Sequence, residues 1–418
     1  MSERTAFLCG VLIDGVADEP RSDAVVLVEN GTIIDVGPAD SIDTGGVTVV
    51  DHRDEIVMPG MIDAHLHLKG WPSMDQADFL TYDVSAGAAR ATGHLRDLLA
   101  AGFTSVRDVD SRTGLGLKKV IEEGTIQGPR VYTSDRAIYQ TGGHGDVHYL
   151  PYEWVKEWNP YDPSLCDGAD ECRKEARKRI RDGVDLIKIG TTGGVLSEKD
   201  HPHHSQMTDE EIAAITHEAH RVEIPVAAHA QGAEGVKNAL RNGVDTIEHG
   251  IYLDDECLEL FNETNGILVP TLSIVNRICE HGEEHGIPDF GLKKAREAHE
   301  EHIKSVRRAY EADVTIALGT DFVGTDLIPH GENAEEMVLY VEKVGMDPMD
   351  SIKTATANAA KTVPDSKIGT IEEGKYADLV VLSEDPLKDI TAVQDSVISV
   401  YKEGRSSQEV WPNKHHKR

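Results

Sequence analysis

Short apolar runs alternate with amphipathic stretches through the middle of the chain. Eight runs of apolar and β-branched residues predict buried strands, because each is short and is bounded by turn residues. The stretches between them, such as ECRKEARKRIRDG and GAEGVKNALRNG, repeat apolar residues every three to four positions, which predicts helices. The predicted strands are Met61–Leu68, Phe103–Asp108, Arg130–Ser134, Asp185–Gly190, Ile224–His229, Thr246–His249, Ile267–Pro270 and Val314–Thr320.

This alternation predicts an α/β fold built on a barrel. Eight strand–helix units in roughly 300 residues match the usual size of a (β/α)8 TIM barrel. A doubly wound sheet would need a glycine-rich phosphate loop after its first strand, where this sequence has HLHL instead. We therefore predict that residues 59–365 form the barrel.

The two ends of the chain have β patterns of a different kind. Residues 1–58 contain short β-branched runs around turns, and Asn30-Gly31 is a strong hairpin signal. Residues 366–410 contain further short strands, broken by Gly374 and Pro386. We expect both ends to pair into one composite β-sandwich domain with the barrel inserted between them. Residues 411–418, at the end of the chain, are expected to be a flexible tail.

Five of the predicted strands end in side chains that can ionise or bind a metal. His65 and His67 are two positions apart in MPGMIDAHLHL, so both point to one face of the first strand. The other four strands end in Lys188, His229, His249 and Asp321. In a barrel these strand ends meet at one mouth, where the active site lies. Because buried ionisable groups are costly without partners, their convergence predicts a shared site.

Metal-assisted hydrolysis is the chemistry that this set of side chains suggests. Imidazoles and carboxylates are zinc ligands, and a metal lowers the pKa of bound water toward neutrality. We expect His65, His67 and Asp321 to hold one divalent ion, and His229 and His249 to hold a second. Asp321 can also accept the proton of the attacking hydroxide and deliver it to the leaving nitrogen.

Lys188 fits such a site only if it loses its positive charge. Reaction of its amine with CO2 would give a carbamate whose two oxygens bridge both ions. The structural alternative is an ion pair of Lys188 with Asp321 or Asp185. The sequence therefore leaves open a carbamate between two divalent ions, for which zinc is expected, or a buried ion pair.

Acidic residues far outnumber basic ones in the composition. The chain has 74 Asp and Glu against 42 Lys and Arg, for a formal net charge of −32. This charge argues against nucleic acids and anionic membranes as partners. The sequence has no long apolar run typical of a membrane span, and we see no signal peptide. The five scattered cysteines form no CxxC pair, which favours reduced thiols in a cytoplasmic protein.

The motifs in combination resemble the amidohydrolase superfamily. They are MPGMIDAHLHL, the lysine in LIKIG, HAQG, IEHG, GTD and the closing GTIEEGKYADLVVL, and they span nearly the whole chain. The resemblance implies a metal-dependent barrel with a β-sandwich from both termini, and a binuclear, usually zinc, centre with a carboxylated Lys188. TGGHGD, TTGGVLS, HAQGAEGVKNAL and PHGENAEE are similar to the branch of Xaa-Pro dipeptidases (prolidases), arginine and lysine carboxypeptidases and ochratoxin-type amidases.

That branch also implies residues that contact the substrate. His144, in GGHG, is expected either to help polarise the scissile carbonyl or to make a loop hydrogen bond within its glycine-rich turn. Gln231 is expected to face the substrate. Some prolidases have a tyrosine at the position of Gln231, which weakens the case for a proline preference. Arg136 can anchor a substrate carboxylate through two hydrogen bonds, or form a structural ion pair. His330, in PHGEN, belongs to the pocket rim or to the plain surface.

Three functions are compatible with these observations. The leading hypothesis is a binuclear hydrolase that cleaves the amide bond of dipeptides or N-acyl amino acids through metal-bound hydroxide. The second is a cyclic amide hydrolase or deaminase, as in imidazolonepropionase-like relatives, against which Lys188 argues because those branches generally lack a bridging lysine. The third is a scaffold without catalysis, against which the complete ligand set argues. Small molecules or dipeptides are the expected partners, and self-association into a homo-oligomer is left open.

Overall fold

Strands from both ends of the chain and from its middle form three sheets. The structure is a computed structural model that describes residues 4–75, 78, 81–157 and 164–409. The strands are β1 (Arg4–Leu12), β2 (Arg21–Glu29), β3 (Thr32–Pro38), β4 (Thr48–Pro59), β5 (Met61–Leu66), β6 (Phe103–Asp108), β7 (Arg130–Thr133), β8 (Ile138–Tyr139), β9 (Ser164–Leu165), β10 (Ile187–Gly190), β11 (Val226–Gly232), β12 (Thr246–Tyr252), β13 (Ile267–Val269), β14 (Leu379–Leu382), β15 (Val397–Lys402) and β16 (Arg405–Ser406).

Helices form where the amphipathic stretches predict them, between the strands of the middle region. They are α1 (Val84–Ala100), α2 (Gly114–Glu122), α3 (Tyr152–Glu157), α4 (Ala169–Asp182), α5 (Asp209–His220), α6 (Ala233–Arg241), α7 (Asp255–Thr264), α8 (Leu272–His281), α9 (Asp289–Glu311), α10 (Glu335–Leu339), α11 (Pro348–Lys353) and α12 (Ala392–Asp395). Two π-helical turns, Tyr340–Val344 and Thr354–Asn358, follow α10 and α11. No helix of the described residues is both long and apolar enough to cross a membrane.

The two chain ends pair into one seven-stranded sheet in the order β16-β15-β14-β4-β1-β2-β3. β4 is the joint between the ends, because it runs parallel to β1 and antiparallel to β14. Buried apolar side chains of β1, β2, β3, β4 and β14 share one core on this sheet. The expected composite of both termini therefore forms, as a single hydrogen-bonded sheet rather than two separate ones. The expected flexible tail, residues 411–418, lies outside the described residues.

The middle of the chain closes into the predicted barrel. β5, β6 and β7 form one parallel sheet, and β10 to β13 belong to a second, which is also parallel. The backbone N–H of Asp185 donates to the carbonyl of Thr133 at 2.9 Å and joins the two sheets. The two-residue strands β8 and β9, which the sequence did not predict, extend the second sheet beside β10.

The eighth barrel position is filled by residues 315–322, which pair through isolated bridges rather than a continuous strand. The carbonyl of Thr315 accepts from the backbone of Leu268 in β13 at 2.9 Å. On the other side, the carbonyl of Leu318 accepts from Ala64 in β5 at 2.8 Å, and the carbonyl of Phe322 accepts from His67 at 2.8 Å. This segment therefore closes the ring between the last and the first barrel strands.

Candidate active site

Six side chains that the sequence singled out line one cavity at the carboxyl ends of the barrel strands. The cavity has a volume of about 250 Å³. Its wall includes His65, His67, Lys188, His229, His249 and Asp321. Parallel strands bring their carboxyl ends to one mouth, so the barrel topology accounts for this convergence of distant residues.

His65, His67 and Asp321 form the tightest cluster. Nε2 of His67 lies 2.8 Å from Oδ1 of Asp321, and Nε2 of His65 lies 3.3 Å from the same oxygen. One ligand atom from each of the three residues lies within 4.8 Å of the other two. Two imidazoles and one carboxylate at this spacing are a donor set that suits zinc and similar divalent ions.

His229 and His249 lie beside this cluster. The rings of His229 and His249 are 4.6 Å apart between centroids, and those of His65 and His249 are 5.1 Å apart. Nδ1 of His249 lies 2.8 Å from the hydroxyl of Thr271, which directs Nε2 away from that contact. Nε2 of His229 lies 3.3 Å from the carbonyl of Gly193.

Burial of the cluster favours uncharged histidines, which can bind a metal cation, over protonated ones. Burial lowers the pKa of His67 to about 4, and it lowers the pKa of His229 and of His249 well below the usual value. Neutral imidazole is the form that binds metals. In addition, Nδ1 of His67 is buried and has no hydrogen-bond partner within the described part of the chain. These residues therefore fit a divalent metal ion.

Lys188 is buried beside the histidines. It is 3% exposed, and it forms no ion pair or hydrogen bond with any of the described residues. Asp185, one of its two alternative partners, instead pairs with Lys118 at 2.6 Å. Burial lowers the pKa of Lys188 to about 8, against the opposing effect of the carboxylates of Glu248 and Asp321. The uncharged amine that reaction with CO2 requires is therefore more populated near neutral pH than in an ordinary lysine.

Glu248 is a component of the site that the sequence reasoning missed. Its Oε2 lies 2.6 Å from Nδ1 of His65, and its Oε1 accepts from Nη2 of Arg107 at 2.7 Å and from the hydroxyl of Thr246 at 2.5 Å. Burial raises the pKa of Glu248, but Arg107, Lys188 and His65 together hold it well below its usual value. A charged carboxylate behind a ligand histidine fixes the ring orientation and its tautomer. Its position directly before His249 in IEHG was the available signal.

His144 reaches the cavity from the loop after β8. Its ring stacks on that of His229, with centroids 3.9 Å apart and planes 12° apart. Nδ1 of His144 lies 3.0 Å from Oγ of Ser197, whose hydroxyl in turn donates to Asp200. Nζ of Lys294 donates to the carbonyl of Asp200 at 2.7 Å and so holds this loop in place.

Two metal-site residues have backbone conformations that L-amino acids rarely adopt. His249 has φ of 76° and Asp321 has φ of 61°. Such left-handed residues cost about 1–3 kcal/mol each and cluster at functional sites. Surrounding contacts hold both in place: the backbone N–H of Asp321 donates to the carbonyl of His65 at 2.6 Å, and Nε2 of His302 donates to the carbonyl of His249 at 3.0 Å.

Three residues proposed as substrate contacts are not among those that line the described cavity. Arg136 pairs with the adjacent Asp135 at 3.1 Å, as expected if it forms a structural ion pair instead of anchoring a substrate carboxylate. Gln231 is buried, with its Oε1 unpartnered among the described atoms. Nε2 of His330 donates to the carbonyl of His67 at 3.1 Å, so His330 supports the strand end from behind.

Several cavity residues were not foreseen. Nζ of Lys69 pairs with Asp110 at 3.0 Å on the cavity wall, and the Tyr139 ring also lines the cavity. Apolar side chains make up much of the remaining wall; they include Trp71, Met74, Val147, Leu196, Ile274, Ile287, Val323 and Ile328. A mostly apolar wall around a few polar groups is typical of a small-molecule site.

Comparison with known proteins assigns the chain to a family. A model of the amidohydrolase family matches residues 56–406. Ochratoxinase from Aspergillus niger is 35% identical over 422 aligned residues, which cover 96% of this chain and 86% of that protein. The chain belongs to the amidohydrolase family. It is accordingly a hydrolase acting on carbon–nitrogen amide bonds, in a superfamily that is generally metal-dependent.

Solved structures agree over almost the full length. The crystal structure of A. niger ochratoxinase has a TM-score of 0.87 at 33% identity and covers 97% of this chain and 95% of its own. A Xaa-Pro dipeptidase with methionine bound in its active site has a TM-score of 0.87 at 33% identity, with coverages of 97% and 99%. A prolidase complexed with N-methylphosphonate-L-proline has a TM-score of 0.87 at 30% identity, with coverages of 96% and 99%.

Proposed function

We propose that the protein is a binuclear metal-dependent hydrolase that cleaves the amide bond of dipeptides or N-acyl amino acids. The observation that carries this proposal is that four imidazoles and one carboxylate converge around the buried amine of Lys188. They do so in a cavity whose wall is largely apolar. The similarity to ochratoxinase and to Xaa-Pro dipeptidase structures supports the same reaction class.

The proposed ligands divide between two divalent ions, with zinc as the expected metal. His65, His67 and Asp321 would hold the first ion, and His229 and His249 would hold the second. Lys188, as a CO2-derived carbamate, would supply one oxygen to each. When bound, two such ions lower the pKa of a water molecule and polarise the substrate carbonyl.

The chain's own residues handle the proton and the substrate. Asp321 takes the proton of the attacking water and delivers it to the leaving nitrogen. Its pKa lies well below the usual value, because His65 and His67 outweigh the opposing effect of burial. His144 would help to polarise the scissile carbonyl, held in orientation by Ser197.

The shape of the cavity favours a substrate with a bulky apolar group. Leu196, Ile274 and Ile287 belong to the wall around the proposed metal centre and offer apolar contact area to an acyl group or side chain. Gln231 is not among the residues that line the described cavity, so no contact of this side chain favours proline over other residues. We also propose a cytoplasmic location, which the free thiols of all five cysteines support.

The test is a screen of dipeptides and N-acyl amino acids with the zinc-loaded protein, together with Lys188→Ala. The surface substitution Lys293→Ala, at a side chain that is 77% exposed, is the matched control. We expect turnover and about two ions per chain in the wild type and the control, with bicarbonate-dependent loading, and loss of both in Lys188→Ala.

Two results would contradict the proposal. Unchanged activity and metal content in Lys188→Ala would refute the bridging role of the lysine. About one ion per chain, with turnover of cyclic amides or amino-substituted rings but not of the library, would favour a cyclic amide hydrolase or deaminase instead.

A further inference from the structure

Tyr139 is a cavity residue to which the proposed mechanism gives no role. It ends β8, whose Ile138 pairs with Ile189 in β10, the strand that carries Lys188. The side chain is only 5% exposed, yet it lines the same cavity as the six proposed metal ligands. Tyr139 is therefore held against the strand that carries the proposed bridging residue.

Two glycines hold the ring of Tyr139 in place. A Cβ added at Gly145 would approach a ring carbon of Tyr139 to 2.2 Å, and one added at Gly190 would approach another to 2.5 Å. Real Cβ atoms do not make contacts this short, so only glycine leaves room for the ring at either position. The phenol is consequently fixed in its orientation by backbone on both sides.

The hydroxyl of Tyr139 has no hydrogen-bond partner within the part of the chain that the structure describes. The residue is buried as a whole, but its hydroxyl is not among the buried unpartnered polar atoms, and the side chain lines the cavity. The nearby carboxylates already have other donors: Asp321 contacts His65 and His67, and Asp110 contacts Lys69. The hydroxyl is thus available to water or to a molecule bound in the cavity.

The electrostatic surroundings keep the Tyr139 phenol protonated, so that it can donate a hydrogen bond. Burial raises its pKa well above the usual value, and the carboxylates of Asp110 and Asp321 raise it further. Tyr139 and Asp321, the residue proposed to move the proton, line the same cavity. In amide hydrolysis, the group that gains negative charge at this point is the carbonyl oxygen, and a fixed donor directed at it lowers the barrier.

We propose that the hydroxyl of Tyr139 is a catalytic hydrogen-bond donor to the carbonyl oxygen of the scissile amide. It acts together with His144, whose ring centroid is 6.4 Å from that of Tyr139. This inference rests on the proposed function. It adds a residue outside the ligand set, with a hydroxyl that donates to the developing oxyanion.

The test compares Tyr139→Phe with the wild type. Phenylalanine keeps the ring between the two glycines and removes only the hydroxyl. The matched control is Tyr310→Phe on α9, which removes a hydroxyl that bonds to Asp350 at 2.7 Å outside the cavity. Loss of one oxyanion donor typically lowers kcat by about 100-fold, so we expect that fall in Tyr139→Phe, with KM within about threefold and metal content unchanged. Tyr310→Phe should match the wild type.

A second measurement does not depend on turnover. Titration calorimetry with N-methylphosphonate-L-proline and N-methylphosphonate-L-methionine probes the tetrahedral geometry directly. We expect Tyr139→Phe to bind the tighter of these analogues at least tenfold more weakly than the wild type, and to bind the free amino acid equally well.

The outcomes separate the two proposals. If Tyr139→Phe keeps kcat and analogue affinity within threefold of the wild type, the catalytic role of Tyr139 is wrong while the proposed function stands. A rise in KM alone would assign the hydroxyl to ground-state binding and would also overturn the inference. If the wild type neither turns over the library nor binds an analogue, both proposals fail. If the analogues bind without turnover of any amide, the proposed function fails and the catalytic role of Tyr139 fails with it.

Discussion

Nδ1 of His65 lies 2.6 Å from Oε2 of Glu248, and both side chains are almost completely buried. Because that carboxylate accepts a hydrogen bond from Nδ1–H, Nε2 of His65 is left as the nitrogen that faces Asp321 and the cavity. Arg107, at 2.7 Å from the other oxygen, keeps Glu248 charged and in place. The three residues form a buried chain that orients the first proposed ligand.

Removing the charge of Glu248 is expected to weaken metal binding. In Glu248→Gln the ring of His65 loses its anionic partner, and changes of this kind cost about 10–100-fold in metal affinity. Chelator competition followed by zinc quantification measures the effect, and thermal melting checks the fold. Glu256→Gln, at an exposed carboxylate that pairs with Arg241, is the control. Equal affinity in all three proteins would show that Glu248 does not tune the site.

Ser197 is expected to act through His144. Its hydroxyl lies 3.0 Å from Nδ1 of His144 and donates to Asp200, so its loss lets the imidazole rotate. We predict that Ser197→Ala lowers kcat by about tenfold, with little change in KM. This is less than the roughly 100-fold cost of losing a catalytic donor, because the imidazole itself remains. Steady-state kinetics on the best substrate measure this split. Ser205→Ala, at an exposed hydroxyl that bonds to Asn238, should behave as the wild type; a similar fall in both variants would contradict the positioning role.

Gly194 lies against two of the site histidines. A Cβ there would come within 2.4 Å of the ring of His144 and 3.1 Å of Nε2 of His229. Displacing catalytic groups by about 1 Å costs on the order of 100-fold in rate, so we predict that loss for Gly194→Ala. In Gly93→Ala on α1, where the added Cβ meets nothing within 4 Å, activity should persist and the free energy of unfolding should rise by about 0.5–1 kcal/mol. Full activity in Gly194→Ala would disprove the crowding argument.

Glu336 gives the protein a pH-dependent stability that is separate from catalysis. It accepts from the backbone N–H groups of Leu272 and Ser273, both at 2.7 Å, at the start of α8. Burial raises its pKa to about 7 from an ordinary value near 4.5. Between these values the folded protein holds a proton that the unfolded chain has released. The free energy of unfolding contributed by this group therefore falls as pH rises from 4.5 to 7.

Glu336→Gln removes that titration. We expect the variant to lose less stability than the wild type between pH 5 and pH 7.5, by about 2–3 kcal/mol at roughly 1.4 kcal/mol per pH unit. Urea unfolding at both pH values measures the difference. Parallel loss in the two proteins would mean that Glu336 is already ionised in the folded state at pH 5.

The sequence predicted those features that follow from strand periodicity and barrel topology. His65 and His67 share a strand face, and His229 and His249 end successive parallel strands, so their meeting at one mouth requires no knowledge of side-chain packing. The same argument placed Asp321, although its segment pairs through isolated bridges instead of a full strand. Local pattern and parallel order were sufficient for these residues.

Other residues could not be placed in this way. The partners of Glu248 include Arg107 on a strand more than a hundred residues away, and no local pattern links the two. Tyr139 belongs to a two-residue strand, too short for periodicity to reveal, and its position depends on two distant glycines. Arg136, the expected carboxylate anchor, pairs with Asp135, and Lys69 is a cation that lines the cavity instead. The positions of these side chains depend on the conformation of loops and on which ion pairs form, and neither can be read from local sequence patterns.

The closing of the barrel by residues 315–322 has a consequence for the order of events at the ribosome. Asp321 and the hydrogen bonds to Ala64 and His67 reach the site only after three quarters of the chain has been made. The strand β14, which pairs with β4, is synthesised later still. The two histidines that emerge early thus remain without their carboxylate and their enclosing wall through most of translation. Metal uptake into the proposed centre consequently requires that the segment carrying Asp321 has already been made.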